Sequence, residues 1–152
     1  MQGDQNVRRR EKRIMLIGRS GAGKTTLRQA LSGKSTEYEK TQAVSMDSRI
    51  IDTPGEYIQT KNLGTALAIY SYEADIIGLL VSATEPYSLF SPNITCMTEK
   101  EVIGIITQKD KENAKPENAE KWLRLAGCKK IFTVNSLTGE GIDELKAYLG
   151  WI

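Results

Sequence analysis

"GRSGAGKT", Gly18–Thr25, is the stretch that decides how this chain folds. It matches G-x-x-x-x-G-K-[ST] in full. It follows the short aliphatic run "IMLIG" (Ile14–Gly18) and precedes a segment of helical spacing that starts near Lys24. A continuous aliphatic run of this length suits a strand covered on both faces. The motif therefore falls where a strand hands over to a helix, the setting that separates it from a chance glycine-rich turn. Gly18, Gly21 and Gly23 permit a loop whose amides point inward at phosphate oxygens. The positive N-terminal end of the next helix faces the same anion. Lys24 is placed to reach between β- and γ-phosphates and is a candidate catalytic residue, and Thr25 offers a hydroxyl to Mg²⁺. The run Gly18, Arg19, Ser20, Gly21, Ala22, Gly23, Lys24 and Thr25, with Thr26 behind it, is predicted to hold the phosphates. Arg19 is considered as an arginine finger supplied in cis, but an outward-pointing side chain is the favoured reading.

Outward from this loop, strand and helix patterns alternate. Leu27, Ala30 and Leu31 share a helical face that Gly33 stops. "RIID" (Arg49–Asp52) reads as a strand, and a further brief strand is conceivable over Gln42–Met46. Leu63, Ala66, Leu67 and Tyr70 fall at i, i+3, i+4, i+7, one side of a helix. Strands are predicted at "IIGLLV" (Ile76–Val81), "VIGIIT" (Val102–Thr107) and "KIFTV" (Lys130–Val134). Pro116 opens a helix carrying Trp122, Leu123 and Ala126 that Gly127 closes. Ile142, Leu145 and Leu149 line a last one. Such alternation means βαβ units and an α/β fold in three layers, a mostly parallel sheet with helices on both faces. Ser82–Lys100 has no helical period and carries Pro86 and Pro92, so a loop or a short broken helix is expected there. In open parallel sheets ligands bind at the carboxyl edge, where this segment starts. Tyr87, Phe90 and Ile94 therefore either touch a partner or second substrate, or simply cover the sheet.

"DTPG", Asp52–Gly55, ends the second strand at that same edge. Asp52 is expected to hold Mg²⁺ through a water, and Gly55 to present its amide to the γ-phosphate and move when it leaves. Thr41 is the choice for a second Mg²⁺ hydroxyl, with Thr36 and Ser35 as competitors. Glu56 stands beside the γ-phosphate as the candidate group near the attacking water. A carboxylate there repels the phosphate, so slow hydrolysis is predicted.

The chain has 152 residues, enough for one well-buried domain. Residues 12–152 are read as that domain and residues 1–11 as a flexible basic tail. Whether its first seven residues are native or an added remnant stays open. With 21 basic and 19 acidic residues, net charge +2, nothing argues for a nucleic-acid or anionic-membrane partner. No apolar run approaches the roughly 18 residues of a spanning helix, and no signal peptide is visible, so a cytoplasmic location is expected. Histidine is absent, which excludes imidazole metal ligands and histidine-based hydrolases. Cys96 and Cys128 lack metal-ligand spacing and read as a free loop thiol and a buried filler.

The order "GRSGAGKT", "DTPG", "TQKD", "NSLTGEGIDEL" resembles the translation-factor-like small GTPases. From Lys12 to the end the chain looks more closely like the EutP/PduV family of ethanolamine- and propanediol-utilisation proteins. That resemblance implies a small-G-protein-like P-loop fold with a short first switch and an irregular third helix. It also implies GTP or GDP with Mg²⁺ as ligands, ATP remaining possible. In GTPases of this type an N/T-K-x-D motif reads guanine. Here "TQKD" supplies Thr107 and Asp110, while Gln108 stands where the lysine packs over the base. Glutamine lying flat there implies weaker binding and a reduced guanine preference. Asn135, Ser136 and Leu137 replace the family's S-A-x, with the Ser136 amide meeting the guanine oxygen.

Three functions follow as alternatives. The first is a slow GTPase-like switch in amine or diol catabolism, associated with a bacterial microcompartment. The second is an ATP- or GTP-dependent small-molecule phosphotransferase such as an acetate kinase, which the same resemblance brings in. The third is a non-catalytic docking module whose tail or loop meets a shell or enzyme partner.

Overall fold

The strands of this protein alternate between two apolar layers at every residue. In β1 (Ile14–Ile17), Ile14 and Leu16 join one core cluster while Met15 and Ile17 join the other. In β3 (Ile76–Ser82), Ile76 and Leu80 belong to the first layer and Ile77, Leu79 and Val81 to the second. Side chains of a strand point alternately to opposite faces, so a run of aliphatics fills both layers at once. The computed structural model describes residues 11–19, 21–33, 48–52, 63–88 and 90–152.

Among these residues the sheet has five strands in the order β2-β1-β3-β4-β5, every pair parallel. The remaining strands are β2 (Ile50–Asp52), β4 (Glu101–Thr107) and β5 (Ile131–Thr133). On one face lie α1 (Lys24–Ser32), through Leu27 and Leu31, and α4 (Ile142–Tyr148), through Ile142 and Leu145. On the other lie α2 (Leu63–Tyr70), through Leu63 and Leu67, and α3 (Pro116–Ala126), through Ala119, Leu123 and Ala126. Gly33 and Gly127 terminate α1 and α3 in the left-handed conformation, as their positions predict. Leu149, read above as helical, is the C-cap of α4 and fully buried. At Gly104 of β4 a Cβ would come within 2.8 Å of Leu123 Cδ1, so the absence of a side chain sets how closely α3 approaches the sheet.

The Ser82–Lys100 segment holds one 3-10 turn, Ile94–Met97, and no α-helix among its described residues, as its composition predicts. Its apolar residues divide. Phe90 is buried and Ile94 packs partly on the core, whereas Tyr87 is 58 % exposed. Cys96 lies in the 3-10 turn and is exposed; Cys128 is buried. Burial pushes the Cys128 thiol up to about 12 from its ordinary 9.0, with Arg124 pulling weakly the other way. Because the thiolate is the reactive form, native protein at pH 8 is expected to be alkylated by iodoacetamide at Cys96, with Cys128 reacting only after unfolding. Mass spectrometry of the two peptides checks this; equal labelling of both in native protein contradicts it. Residues 1–10 of the basic tail, the expected strand over 42–46, and the side chains of Ala66 and Tyr70 lie outside the described residues.

Candidate functional site

The carboxyl ends of β1, β3, β4 and β5 converge on the phosphate loop. Gly18 leaves β1 so close to β3 that a Cβ would sit 2.9 Å from Leu80 Cβ. Gly21 and Gly23 both have φ +90, a conformation that L side chains rarely adopt. Gly23 is the N-cap of α1 and supplies no side chain to it, and no acidic residue occupies the first turn. The first amides of α1 thus keep their positive end for an external anion.

The last residue of β4 and the one after it grip this loop from the side. The Thr107 hydroxyl donates to the Ala22 carbonyl at 2.5 Å, and Thr107 is buried. Gln108, expected above to lie flat over the base, lines the pocket and has both ends of its amide engaged. Its backbone takes φ +60. Nε2 donates to the Gly21 carbonyl at 3.3 Å, and Oε1 accepts from Ser82 Oγ at 2.6 Å. Thr84 Oγ1 adds a weaker contact to Oε1 at 3.4 Å. Hydroxyls at and just after the end of β3 and a carbonyl on the phosphate loop match the two ends of an amide, so glutamine acts here as a cross-brace.

Asp110 is exposed, yet its carboxylate is held. Oδ2 accepts from Asn135 Nδ2 at 2.7 Å. Asn135 Oδ1 in turn accepts from the amides of Leu137 and Thr138 at 3.0 and 3.1 Å, folding the loop after β5 around it. Lys109 pairs with Glu140 at 2.6 Å, which ties the same two loops a second time. That partner raises the Lys109 pKa, through the hydrogen bond first. Asn135 therefore holds the aspartate and, with the same side chain, orders the loop carrying Ser136 and Leu137.

A cavity of about 340 Å³ opens between these loops, lined by Thr107, Gln108, Asp110, Lys111 and Asn135–Leu137 with Gly23 and Thr26. A second, of about 460 Å³, follows the phosphate loop along Gly18, Arg19, Gly21 and Gly23–Thr26. Gly23, Thr26 and Gln108 line both, so a channel along the phosphate loop adjoins a pocket with a carboxylate on its wall. Volumes of this size suit a small-molecule cofactor. A nucleoside di- or triphosphate fits the chemistry of this wall, and Thr25 fits as a hydroxyl ligand to its Mg²⁺.

Arg19 lines the channel, and its side chain is engaged by the segment that follows β3. Its Nε lies 3.3 Å from Glu85 Oε1 and its guanidinium covers the Tyr87 ring at 4.7 Å. Ser20, Thr41 with its competitors Thr36 and Ser35, Gly55 and Glu56 lie outside the described residues, as does the side chain of Asp52. Periodicity gave no sign of Ser82, Thr84, Glu85 or Lys109 as parts of the site. Short polar residues at a strand end signal only a turn until the neighbouring strand is known.

The family model for ethanolamine utilisation and propanediol utilisation proteins matches residues 11–151. The chain belongs to the PduV/EutP family. It is 43 % identical over 141 residues to the propanediol utilization protein PduV of Citrobacter freundii, covering 91 % of this chain and 93 % of that one. It is 34 % identical over 141 residues to the probable acetate kinase EutP of Escherichia coli K12, covering 91 % and 89 %. Among solved structures it resembles the G domain of the T. maritima FeoB iron transporter. That match has a TM-score of 0.58 and 25 % identity, over 91 % of this chain and 96 % of that one. The FeoB cytosolic domain in its GMPPNP form matches with a TM-score of 0.59 and 25 % identity, and the chain spans 62 % of its length. The chain thus has a P-loop fold of the G-domain type.

Proposed function

We propose that this protein is a Mg²⁺-dependent, slow GTP-binding switch serving ethanolamine or propanediol utilisation in association with a bacterial microcompartment. The observation that carries this reading is the adjoining pair of cavities: a phosphate channel on Gly21–Thr25 running into a pocket walled by Asp110. Lys24 compensates phosphate charge, and Thr25, Thr41 and Asp52 serve the metal. The Asp110 carboxylate accepts from the N1–H and the exocyclic amine of guanine, donors that adenine does not present together. Bound triphosphate orders the loop around Thr41 and the segment after Gly55, and hydrolysis releases them. Glu56, as a carboxylate near the leaving phosphate, keeps that hydrolysis slow.

A second reading, phosphoryl transfer to a small carboxylate such as acetate, is favoured by the relatives named as probable acetate kinases. Titration with fluorescent GDP, GTP, ADP and ATP in Mg²⁺, followed by turnover with and without acetate, separates the two. Guanine nucleotides are expected to bind at least about tenfold tighter, roughly 1.4 kcal/mol, with turnover indifferent to acetate. Equal or tighter ATP binding with acetate-dependent turnover transfers the assignment to the kinase. Binding without turnover in either assay leaves a docking module.

A further inference from the structure

The segment that leaves β3 makes two separate attachments to the phosphate loop. The first runs through Arg19, the second residue of the motif. Arg19 Nε is 3.3 Å from Glu85 Oε1, its Nη2 donates to the Tyr87 carbonyl at 3.3 Å, and its guanidinium lies over the Tyr87 ring. Glu85 is itself fixed, since its Oε2 accepts from the Ser82 amide at 2.9 Å. The second attachment is Gln108, joined to Ser82 on one side and to the Gly21 carbonyl on the other. The segment between them is rooted in the body of the fold: the Ala83 amide donates to Thr107 O at 2.8 Å and the Lys115 amide to Ala83 O at 2.7 Å.

We propose that Ser82–Tyr87 is a brace that positions the phosphate loop, with Glu85 and Tyr87 as positioning residues that lengthen the lifetime of bound nucleotide. The inference rests on the nucleotide-binding reading above. Its physical reason lies in Arg19. The Arg19 carbonyl accepts from the Ala22 amide at 3.0 Å, so the residue whose side chain is held also bonds within the phosphate loop. Arg19 Nε is buried without a hydrogen-bond partner among the described residues and is held to Glu85 by charge alone, while Nη2 and the guanidinium face are held by Tyr87. Holding that side chain orders the loop before ligand arrives, and preorganisation of a site strengthens binding by reducing the ordering cost. The ion pair is largely shielded from water, with side-chain exposures of 20 % for Arg19 and 8 % for Glu85. A rival account has Glu85 masking Arg19 charge that would otherwise attract phosphate. The two accounts predict opposite signs.

Release of bound fluorescent GDP and of fluorescent ADP, chased with unlabelled nucleotide in a stopped-flow instrument, decides between them. Wild type, Glu85→Gln, Tyr87→Ala and Tyr87→Phe are compared. The brace predicts release about three- to tenfold faster in Glu85→Gln and Tyr87→Ala, the range of one ion pair or cation–π contact. Tyr87→Phe keeps the ring and the carbonyl and is expected to match wild type. The guanine-to-adenine ratio stays unchanged, because Asp110 is untouched, and the melting temperature without nucleotide stays unchanged in Tyr87→Ala, whose ring is mostly exposed. Should Glu85→Gln fail to fold, Tyr87→Ala, whose ring is mostly exposed, decides the matter alone. Unchanged release overturns the brace, and slower release from Glu85→Gln replaces it with charge masking. If wild type holds neither nucleotide, the nucleotide reading fails and the brace with it, a result unlike normal wild-type binding with indifferent variants.

Discussion

Replacing Lys24 with alanine is expected to weaken binding of nucleoside triphosphate at least about a hundredfold and to abolish measurable turnover. Lys24 opens α1 directly behind Gly23 and lines the phosphate channel. Its ammonium is the side-chain cation of the motif on the path of the β- and γ-phosphates. A hydrogen bond to a charged group contributes about 1.5–3 kcal/mol, and about 2.7 kcal/mol is a hundredfold. The fold is expected to survive. Alanine is a better helix former than lysine, and the residues of α1 that fill the core are Leu27 and Leu31. Calorimetric titration with GTP and with ATP, alongside a thermal melt without ligand, checks both halves. Retained affinity in a folded Lys24→Ala protein would mean that the loop does not hold a triphosphate in this way.

Asp110→Ala is expected to erase base preference while leaving the phosphate contribution in place. Guanine affinity falls about tenfold or more, and adenine affinity changes little, so the two converge. The carboxylate lies on the wall of the pocket beside the phosphate loop, with Oδ2 held by Asn135 at 2.7 Å. Since Asn135 fixes the carboxylate without carrying its charge, and also orders the loop with Ser136 and Leu137, Asn135→Ala is expected to lower affinity for both bases and to leave a GDP-to-ADP ratio between wild type and Asp110→Ala. The measurement is the ratio of GDP to ADP dissociation constants in the three proteins. An unchanged ratio in Asp110→Ala would show that this aspartate does not read the base, and would move weight to the phosphotransferase reading.

The two predictions differ in how early their residues could be seen. Lys24 is legible from eight consecutive letters, because a phosphate loop is local: its glycines, lysine and hydroxyl are consecutive in the chain. The strands were equally legible, since Ile14–Ile17 and Ile76–Ser82 are aliphatic runs that only a doubly covered sheet can bury. Asp110 was legible as a residue, through the spacing of "TQKD" behind a strand. Its setting was not. Gln108 was expected over the base because sequence assigns it the place of a lysine, while the direction of its amide depends on Ser82, 26 positions earlier.

Sequence alone thus determined the layers of the fold, the phosphate loop and the aspartate proposed to read the base, all of which rest on local pattern and on burial. Tertiary structure decided how those parts are held: Gln108 across to Gly21, Asn135 onto Asp110, and Arg19 out to Glu85 and Tyr87. The first two of these contacts join residues 87 and 25 positions apart in the chain. Parallel strand order brings them together at one edge, and a polar side chain takes its direction from whichever donor or acceptor the neighbouring strand delivers there.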